Sequence, residues 1–110
     1  MKTQIINKTP HPVVILDDEN NVIQIFESQG TIRLSSRTER IDQFGNIPIS
    51  KTEYGEPEGL PDIVPETLYT YYIVSQLVKN ALPNRPDLLV PAEVVRDEKG
   101  NIIGCKSLGI

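Results

Sequence analysis

Arginines along one predicted strand are the first residues whose type and spacing could bind a ligand. Arg33 and Arg37 share the strand face that carries Ser35, and Arg40 follows closely. Guanidinium groups suit phosphate and carboxylate, because their planar donors can contact two oxygens at once. The spacing therefore predicts a site for a small anion. The alternative is an ordinary solvated sheet face, whose charge nearby acidic residues neutralise.

A second candidate is the only histidine, His11, which lies between Pro10 and Pro12. The prolines remove two backbone donors and favour extended backbone, so His11 sits on a stiff, non-helical segment. With Thr9 beside it, His11 could donate to an anionic ligand or act as a general base. The alternative is a rigid corner whose imidazole caps a neighbouring strand. A catalytic pair with Cys105 would need hydrogen-bond contact, and free cysteines are more often buried as small hydrophobes.

Three further positions complete the predicted site. Ser75 lies where a strand meets a helix, so the unpaired N–H groups there could hold an anion, although simple N-capping explains the serine equally. Arg85 could contact the ligand or form a local turn contact with Asp87 across a proline. Tyr72, in a cluster of three tyrosines, could stack on a base or form a dimer face, and one side of this cluster is expected to lie in the core.

Several kinds of chemistry lack their residues. One cysteine allows no internal disulfide, and with a single histidine it cannot build a typical metal site. The chain contains no glycine-rich phosphate loop. A net charge of −4 argues against binding duplex nucleic acid, which requires clustered Lys and Arg. We therefore expect no metal, no cofactor and no enzymatic activity.

The elements that must position these residues are short, since 110 residues contain nine prolines and seven glycines. A single domain spans residues 1–110. The pattern predicts one helix, which begins after Ser75, ends before Pro83 and buries Leu77 and Val78 on one face together with Ala81 and Leu82. The predicted strands cover residues 3–8, 13–16, 22–26, 31–37, 47–51, 68–74, 94–96 and 102–105, with an apolar stretch at 88–90.

The turns connect these strands mainly into hairpins. Acidic and Asn-rich turns occupy residues 17–21 and 97–101, and their similarity indicates either a duplication or two solutions to one turn problem. A turn at 43–46 precedes Pro48, which predicts an edge strand. Residues 55–66 form an acidic, proline-rich loop. Together the elements predict a β-dominated α+β domain, either an antiparallel curled sheet or a small sandwich or barrel, with one short helix.

Four segments of the chain resemble a group of small proteins encoded by bacteriophages and prophages. The resemblance rests on residues 7–12, 72–75, 85–91 and 96–105, which read NKTPHP, YIVS, RPDLLVP and RDEKGNIIGC. It spans most of the chain, but residues 38–66 match no pattern of the group. The resemblance implies a cytoplasmic, phage-associated setting and a role in countering host defence, but no particular activity. The N-terminus has no apolar signal segment, and no stretch approaches the ~20 apolar residues of a membrane helix.

These observations predict a non-enzymatic binding protein for a small anionic, nucleotide-like ligand, such as a host defence signal. Its ligand-binding residues are Thr9, His11, Arg33, Arg37, Tyr72, Ser75 and Arg85. Self-association is expected, because two copies of a short chain enclose a site more easily than one. The alternative is a protein–protein interaction module that inhibits a host factor, with the acidic loop as a charge mimic. An enzyme that uses His11 and Cys105 is the third hypothesis.

Overall fold

The computed structural model describes residues 3–61 and 70–110. Within these ranges the chain forms eight strands and one short helix, so the predicted β-dominated α+β class is confirmed. The strands are β1 (Gln4–Asn7), β2 (Val13–Leu16), β3 (Val22–Phe26), β4 (Arg33–Phe44), β5 (Ile47–Glu58), β6 (Thr70–Ile73), β7 (Leu88–Arg96) and β8 (Ile102–Gly109), and the helix is α1 (Gln76–Ala81).

Six of these strands form one mixed sheet in the order β1-β6-β7-β8-β2-β3. The β2–β3 and β7–β8 pairs are antiparallel hairpins, whereas β1–β6, β6–β7 and β2–β8 are parallel. The sheet is mixed because α1 carries the chain from β6 back to the start of β7, a crossover that parallel neighbours require. A single bridge between Asn7 and Ser28 brings the two edge strands together at one end, but the sheet does not close into a barrel.

The core lies on both faces of β6. Tyr72 and Val74 point into one cluster with Leu88 and Val90, while Ile73 points into the other with Val13 and Cys105. This division follows from the alternation of side chains along a strand. Ile73, Val74 and Leu88 are completely buried. A central strand covered on both faces is typical of parallel pairing.

The β4–β5 hairpin is an exposed arm separate from the main sheet. Both strands have twelve residues, and their side chains are almost all exposed. Ile32, Leu34 and Leu60 anchor its base in the core. The arm explains the radius of gyration of 17.2 Å, which exceeds the roughly 13 Å expected for a compact chain of this length.

The arm changes several sequence-based boundaries. The strand predicted at 31–37 continues to Phe44, and the strand predicted at 47–51 continues to Glu58. Residues 55–58 are therefore strand, and their assignment to a loop was wrong; residues 62–66 of that loop lie outside the described residues. The strand predicted at 68–74 is observed as Thr70–Ile73, and residues 68 and 69 are likewise outside the described part.

The helix forms where the sequence predicts it. The Ser75 side chain accepts a hydrogen bond from the Val78 N–H at 3.3 Å, which satisfies an otherwise unpaired donor of the first turn. Val78 is buried against the core, but Leu77 is 55% exposed. The predicted apolar face was wrong at Leu77, because the side of the helix that packs on the core carries Val78 and Leu82.

Candidate ligand-binding groove

Asn7 holds together the segment that carries His11. Asn7 is 1% exposed, and its amide nitrogen and its amide oxygen each form two hydrogen bonds. Asn7 Nδ2 donates to the carbonyl oxygens of His11 at 2.7 Å and Phe26 at 2.9 Å. Asn7 Oδ1 accepts from the Thr9 backbone N–H at 2.9 Å and from the Thr9 hydroxyl at 2.7 Å. One buried amide therefore fixes the corner between β1 and β2.

The polar groups of Thr9 form hydrogen bonds within this corner. Its hydroxyl also lies 2.9 Å from the His11 carbonyl oxygen, and its own carbonyl oxygen accepts from the Ser28 hydroxyl at 2.6 Å. Pro10 and Pro12 have no backbone N–H, so this turn has two fewer donors to satisfy. The local structure thus presents His11 on a rigid, exposed corner, as the sequence predicts.

A groove of about 640 Å³ opens beside this corner. Its size is typical of small-molecule sites. Its lining residues come from the His11 corner, the start of β2, the segment between β6 and α1, and strands β7 and β8. The lining residues are mainly apolar: Thr9, Pro10, His11, Pro12, Val13, Val14, Val74, Ser75, Pro91, Val94, Ile102, Ile103, Gly104 and Cys105. Of the seven predicted ligand-binding residues, the groove brings together Thr9, His11 and Ser75.

Cys105 is one of the buried lining residues of this groove. Its side chain is 2% exposed, and its Sγ donates to the Val14 carbonyl oxygen at 3.7 Å. Burial raises the pKa of the Cys105 thiol, although backbone hydrogen bonds partly oppose the shift. A neutral, donating thiol is a poor nucleophile. His11 and Cys105 therefore line the same groove without the arrangement that activates a cysteine.

A shallow depression adjoins the groove, and Val94 lines both. Arg96 and Lys106 supply positive charge there, with Glu93 opposing it. The Arg96 guanidinium donates to the Gly100 carbonyl oxygen at 2.8 Å, and Lys106 Nζ lies 3.4 Å from the Asp18 carbonyl oxygen. Both cations are thus fixed by one hydrogen bond each and keep further donors for an anion in the depression.

The remaining predicted residues do not line this groove. Arg33 and Arg37 lie on the exposed arm, where their cross-strand neighbours are Glu58 and Glu53. The Arg37 side chain is 79% exposed. Tyr72 is buried in the core, with no open face for stacking. The prediction that arginines from separate segments meet around one hollow was wrong, because β4 continues outward as an arm.

Arg85 forms the local contact that the sequence left as its alternative. Its Nε and Nη2 donate to the two carboxylate oxygens of Asp87 at 2.9 and 2.7 Å. Nη2 also donates to the Pro61 carbonyl oxygen at 2.9 Å. Asp87 is buried. Arg85 thus joins the segment before β7 to the end of the arm, and this bidentate ion pair uses the donors that a ligand would need.

Sequence reasoning missed five residues that matter here. Asn7 was assigned to a strand and Arg96 to a terminal hairpin, whereas Pro91, Val94 and Lys106 received no role. The missed signal was at Asn7, because a polar residue that ends an apolar strand before Thr-Pro commonly bonds to its own turn. The lining by β7 and β8 had no local signal, since those residues lie 80 or more positions from His11.

Comparisons with known proteins return no relative. No protein-family model, curated protein or solved structure matches the chain. Across residues 3–61 and 70–110, no group of three His, Cys, Asp or Glu side chains could hold a metal ion. In the same ranges no helix is long and apolar enough to cross a membrane.

Proposed function

We propose that this chain is a non-enzymatic binding protein that holds a small, nucleotide-like ligand in the groove beside His11. The observation that carries the proposal is the groove itself. Its walls of proline and branched aliphatic side chains suit a flat apolar surface, such as the face of a heteroaromatic base. His11 and Ser75 at its edge offer polar atoms to the edge of that base.

The anionic part of the ligand has a different location from the one that the arginine pattern predicted. Arg33, Arg37 and Arg85 are held by the arm or by Asp87, so they are poor candidates. Arg96 and Lys106 line the depression that shares Val94 with the groove. A ligand whose base occupies the groove would direct a phosphate toward these two cations, which suit an anion by charge and by their donors.

Binding without catalysis agrees with the chemistry of the groove. The Cys105 thiol is buried, it donates to the Val14 carbonyl oxygen, and its pKa is raised. Within the resemblance to phage and prophage proteins, the proposed role is cytoplasmic sequestration of a nucleotide-like host defence signal. Sequestration requires only affinity, which a rigid groove provides at low ordering cost.

The test is a thermal-shift screen of the full chain against nucleosides, linear nucleotides and cyclic nucleotides. A ligand at about a hundred times its dissociation constant stabilises the folded state by about 2.7 kcal/mol, which raises Tm by roughly 10–20 °C. We expect the largest shifts from compounds that contain both a base and a phosphate. Compounds without a phosphate should give smaller shifts, and Arg96→Ala should remove that difference.

Two matched variants tie the shift to the groove. Val94→Trp fills the groove, whereas Val22→Trp places the same side chain on exposed β3, outside the groove lining. We expect the ligand shift to disappear in Val94→Trp and to persist in Val22→Trp. A shift that survives in Val94→Trp would contradict the groove as the site. If no compound produces a shift and a host protein is captured instead, the interaction-module alternative replaces this proposal.

The interaction-module alternative has less support from the acidic segment than the sequence suggests. Glu56 and Glu58, which were predicted in the loop, lie in β5 instead, and Glu58 is the cross-strand neighbour of Arg33. The acidic segment is therefore partly neutralised by its own hairpin. A charge mimic would need these carboxylates to face a partner alone.

A further inference from the structure

Across residues 3–61 and 70–110, no strand pairs with the outer edge of β4. In the described part of the chain β4 pairs with β5 alone. The outer edge of β5 is interrupted by Pro48 and Pro57, which have no N–H to donate. β4 contains neither proline nor glycine. An edge strand with free N–H and C=O groups is a template for pairing with another strand, and proteins that avoid such pairing usually block it.

The middle of β4 is the regular part of this edge. The register of the hairpin shifts between Leu34 and Ser36 and again between Arg40 and Asp42, so residues 36–40 pair without interruption. On one face of this run Arg37 is opposite Glu53 and Glu39 is opposite Lys51. The closest ion pairs run along the strands instead, with Arg37–Glu39 at 4.0 Å and Lys51–Glu53 at 3.6 Å. All four side chains are well exposed.

We propose that two copies of this chain pair antiparallel through β4, with Thr38 on the twofold axis. In a twofold antiparallel pair one residue faces its own copy, and its neighbours face each other across the axis. A centre at Thr38 places Arg37 of each copy opposite Glu39 of the other. A centre at Arg37, Glu39 or Arg40 would place like charges opposite each other, which is destabilising.

This register extends the charge pattern of the hairpin across all four strands. One row reads Glu53, Arg37, then Glu39 and Lys51 of the second copy, so the charges alternate at every step. The second row is its symmetric equivalent. Each of these four side chains gains or keeps a neighbour of opposite sign. The complementarity arises from four residues at fixed register positions, so the partner that this edge matches is a second copy of the same chain.

The other face of the ribbon also matches itself. The hydroxyl groups of Thr38 and Thr52 lie 3.0 Å apart within one copy. On the axis Thr38 would face Thr38 of the second copy, which joins the two pairs into one row of four hydroxyls. Ser36 would face Arg40 of the second copy, a polar pair without charge conflict.

Pairing also accounts for an arm that is otherwise poorly supported. A two-stranded ribbon is marginal in water, and three or more strands are needed for independent stability. The tip carries Phe44 and Ile47, which are 62% and 65% exposed. With Thr38 on the axis, the tip of each arm lies beside the base of the other, near Ile32, where the partner's core begins. This inference stands on the arm alone and does not depend on the groove ligand.

The test uses two charge-reversal variants, each of which should dimerise weakly alone, whereas the mixture of the two should dimerise. Arg37→Glu alone places two carboxylates opposite each other at both symmetric contacts of its dimer, and Glu39→Arg alone places two guanidinium groups there. Mixed, the two variants restore both opposite-charge pairs between copies. Because each variant keeps the same internal hairpin alone and in the mixture, recovery on mixing cannot come from refolding of the arm. Lys99→Glu, in the exposed β7–β8 turn, makes the same change in net charge as Arg37→Glu and is its control.

Sedimentation velocity provides the measurement. We expect the wild-type chain and Lys99→Glu to sediment as a dimer, with twice the 12.3 kDa mass of one chain. Each arm variant alone should dimerise roughly tenfold to a hundredfold more weakly, and the equimolar mixture should recover the dimer. A wild-type chain that stays monomeric, single variants that remain dimers, or a mixture that fails to recover would each overturn the proposal.

Discussion

Asn7 Nδ2 donates to the Phe26 carbonyl oxygen at 2.9 Å, which links the end of β1 to the end of β3. These strands are the two edges of the main sheet. The Gln29 N–H donates back to the Asn7 carbonyl oxygen at 2.8 Å. The contact therefore joins the ends of the sheet beside the corner that forms one wall of the groove.

Asn7→Ala should strongly destabilise the protein. The change removes a buried amide and leaves the carbonyl oxygens of His11 and Phe26, and the Thr9 N–H, without this partner. Each buried polar group left unsatisfied costs about 1–3 kcal/mol, and part of that cost is relieved by water at the corner. We expect a loss of about 3 kcal/mol in the free energy of unfolding, measured by urea titration. Asn101→Ala, at an exposed turn position, should cost less than about 0.5 kcal/mol. Equal losses for the two variants would contradict the role given to Asn7.

Asn20→Gly should stabilise the β2–β3 turn. Asn20 has a φ of 65°, in the left-handed region, and Gly100 occupies the matching position of the β7–β8 turn with a φ of 85°. Glycine adopts this backbone without the steric cost that a side chain brings, although it is more flexible when unfolded. We expect a gain of about 0.5 kcal/mol in the free energy of unfolding, and a loss for the reverse change Gly100→Asn. A loss for Asn20→Gly together with a gain for Gly100→Asn would contradict the preference for glycine at these two left-handed positions.

Asp17→Asn should lower stability at neutral pH but not in strong acid. The backbone N–H of Asn21 donates to the Asp17 carboxylate at 2.9 Å and is the main cause that lowers its pKa below 3.8. A carboxyl group with a lowered folded pKa contributes stability above its unfolded pKa and loses it as pH falls through the folded value. The difference between wild type and variant should thus be largest near neutral pH and shrink below 3.8.

Urea titrations across this pH range measure the effect, with Asp18→Asn as a control that removes the same charge from the neighbouring exposed position. A difference that grows as pH falls would contradict this assignment of the Asp17 pKa.

Much of the fold was predictable from short-range signals. Branched apolar runs identified β2 and β3, Ser75 identified the start of α1, and Asp17 and Asp97 identified two turns. In both turns an aspartate Oδ1 accepts from the backbone N–H groups two and four residues later, at 2.9 Å. The same hydrogen bonds are a sufficient reason for the similar sequences, because Asp and Asn favour this turn by their own chemistry.

The candidate site was predictable only in part. The corner at Thr9 and His11 has a local cause in its two prolines, so the sequence identified it. The arm could not be identified from the sequence, because residues 38–44 lack the apolar alternation that marks a half-buried strand. Because β4 extends away from the core, Arg33 and Arg37 lie on the exposed arm and not at the groove. The groove depends on parallel pairing between distant strands, which no local pattern specifies.

The ion pair between Arg85 and Asp87 should be cooperative. Their side chains are 16% and 7% exposed, so removing one partner leaves the other charge buried. Arg85→Ala should cost about 3–5 kcal/mol, whereas replacing both partners by alanine should cost less than the sum of the single changes. Urea titrations of the two single variants and the double variant form the cycle. Purely additive losses would show that the pair is not coupled.

A calorimetric titration of the best compound from the nucleotide screen into the wild type, Val94→Trp and Val22→Trp tests whether the groove is the ligand site. We expect saturable binding to the wild type and to Val22→Trp, and loss of binding in Val94→Trp, because position 94 lines the groove and position 22 does not. Binding that is equally strong in all three proteins, or equally weakened by both tryptophans, would contradict the groove beside His11 as the ligand site.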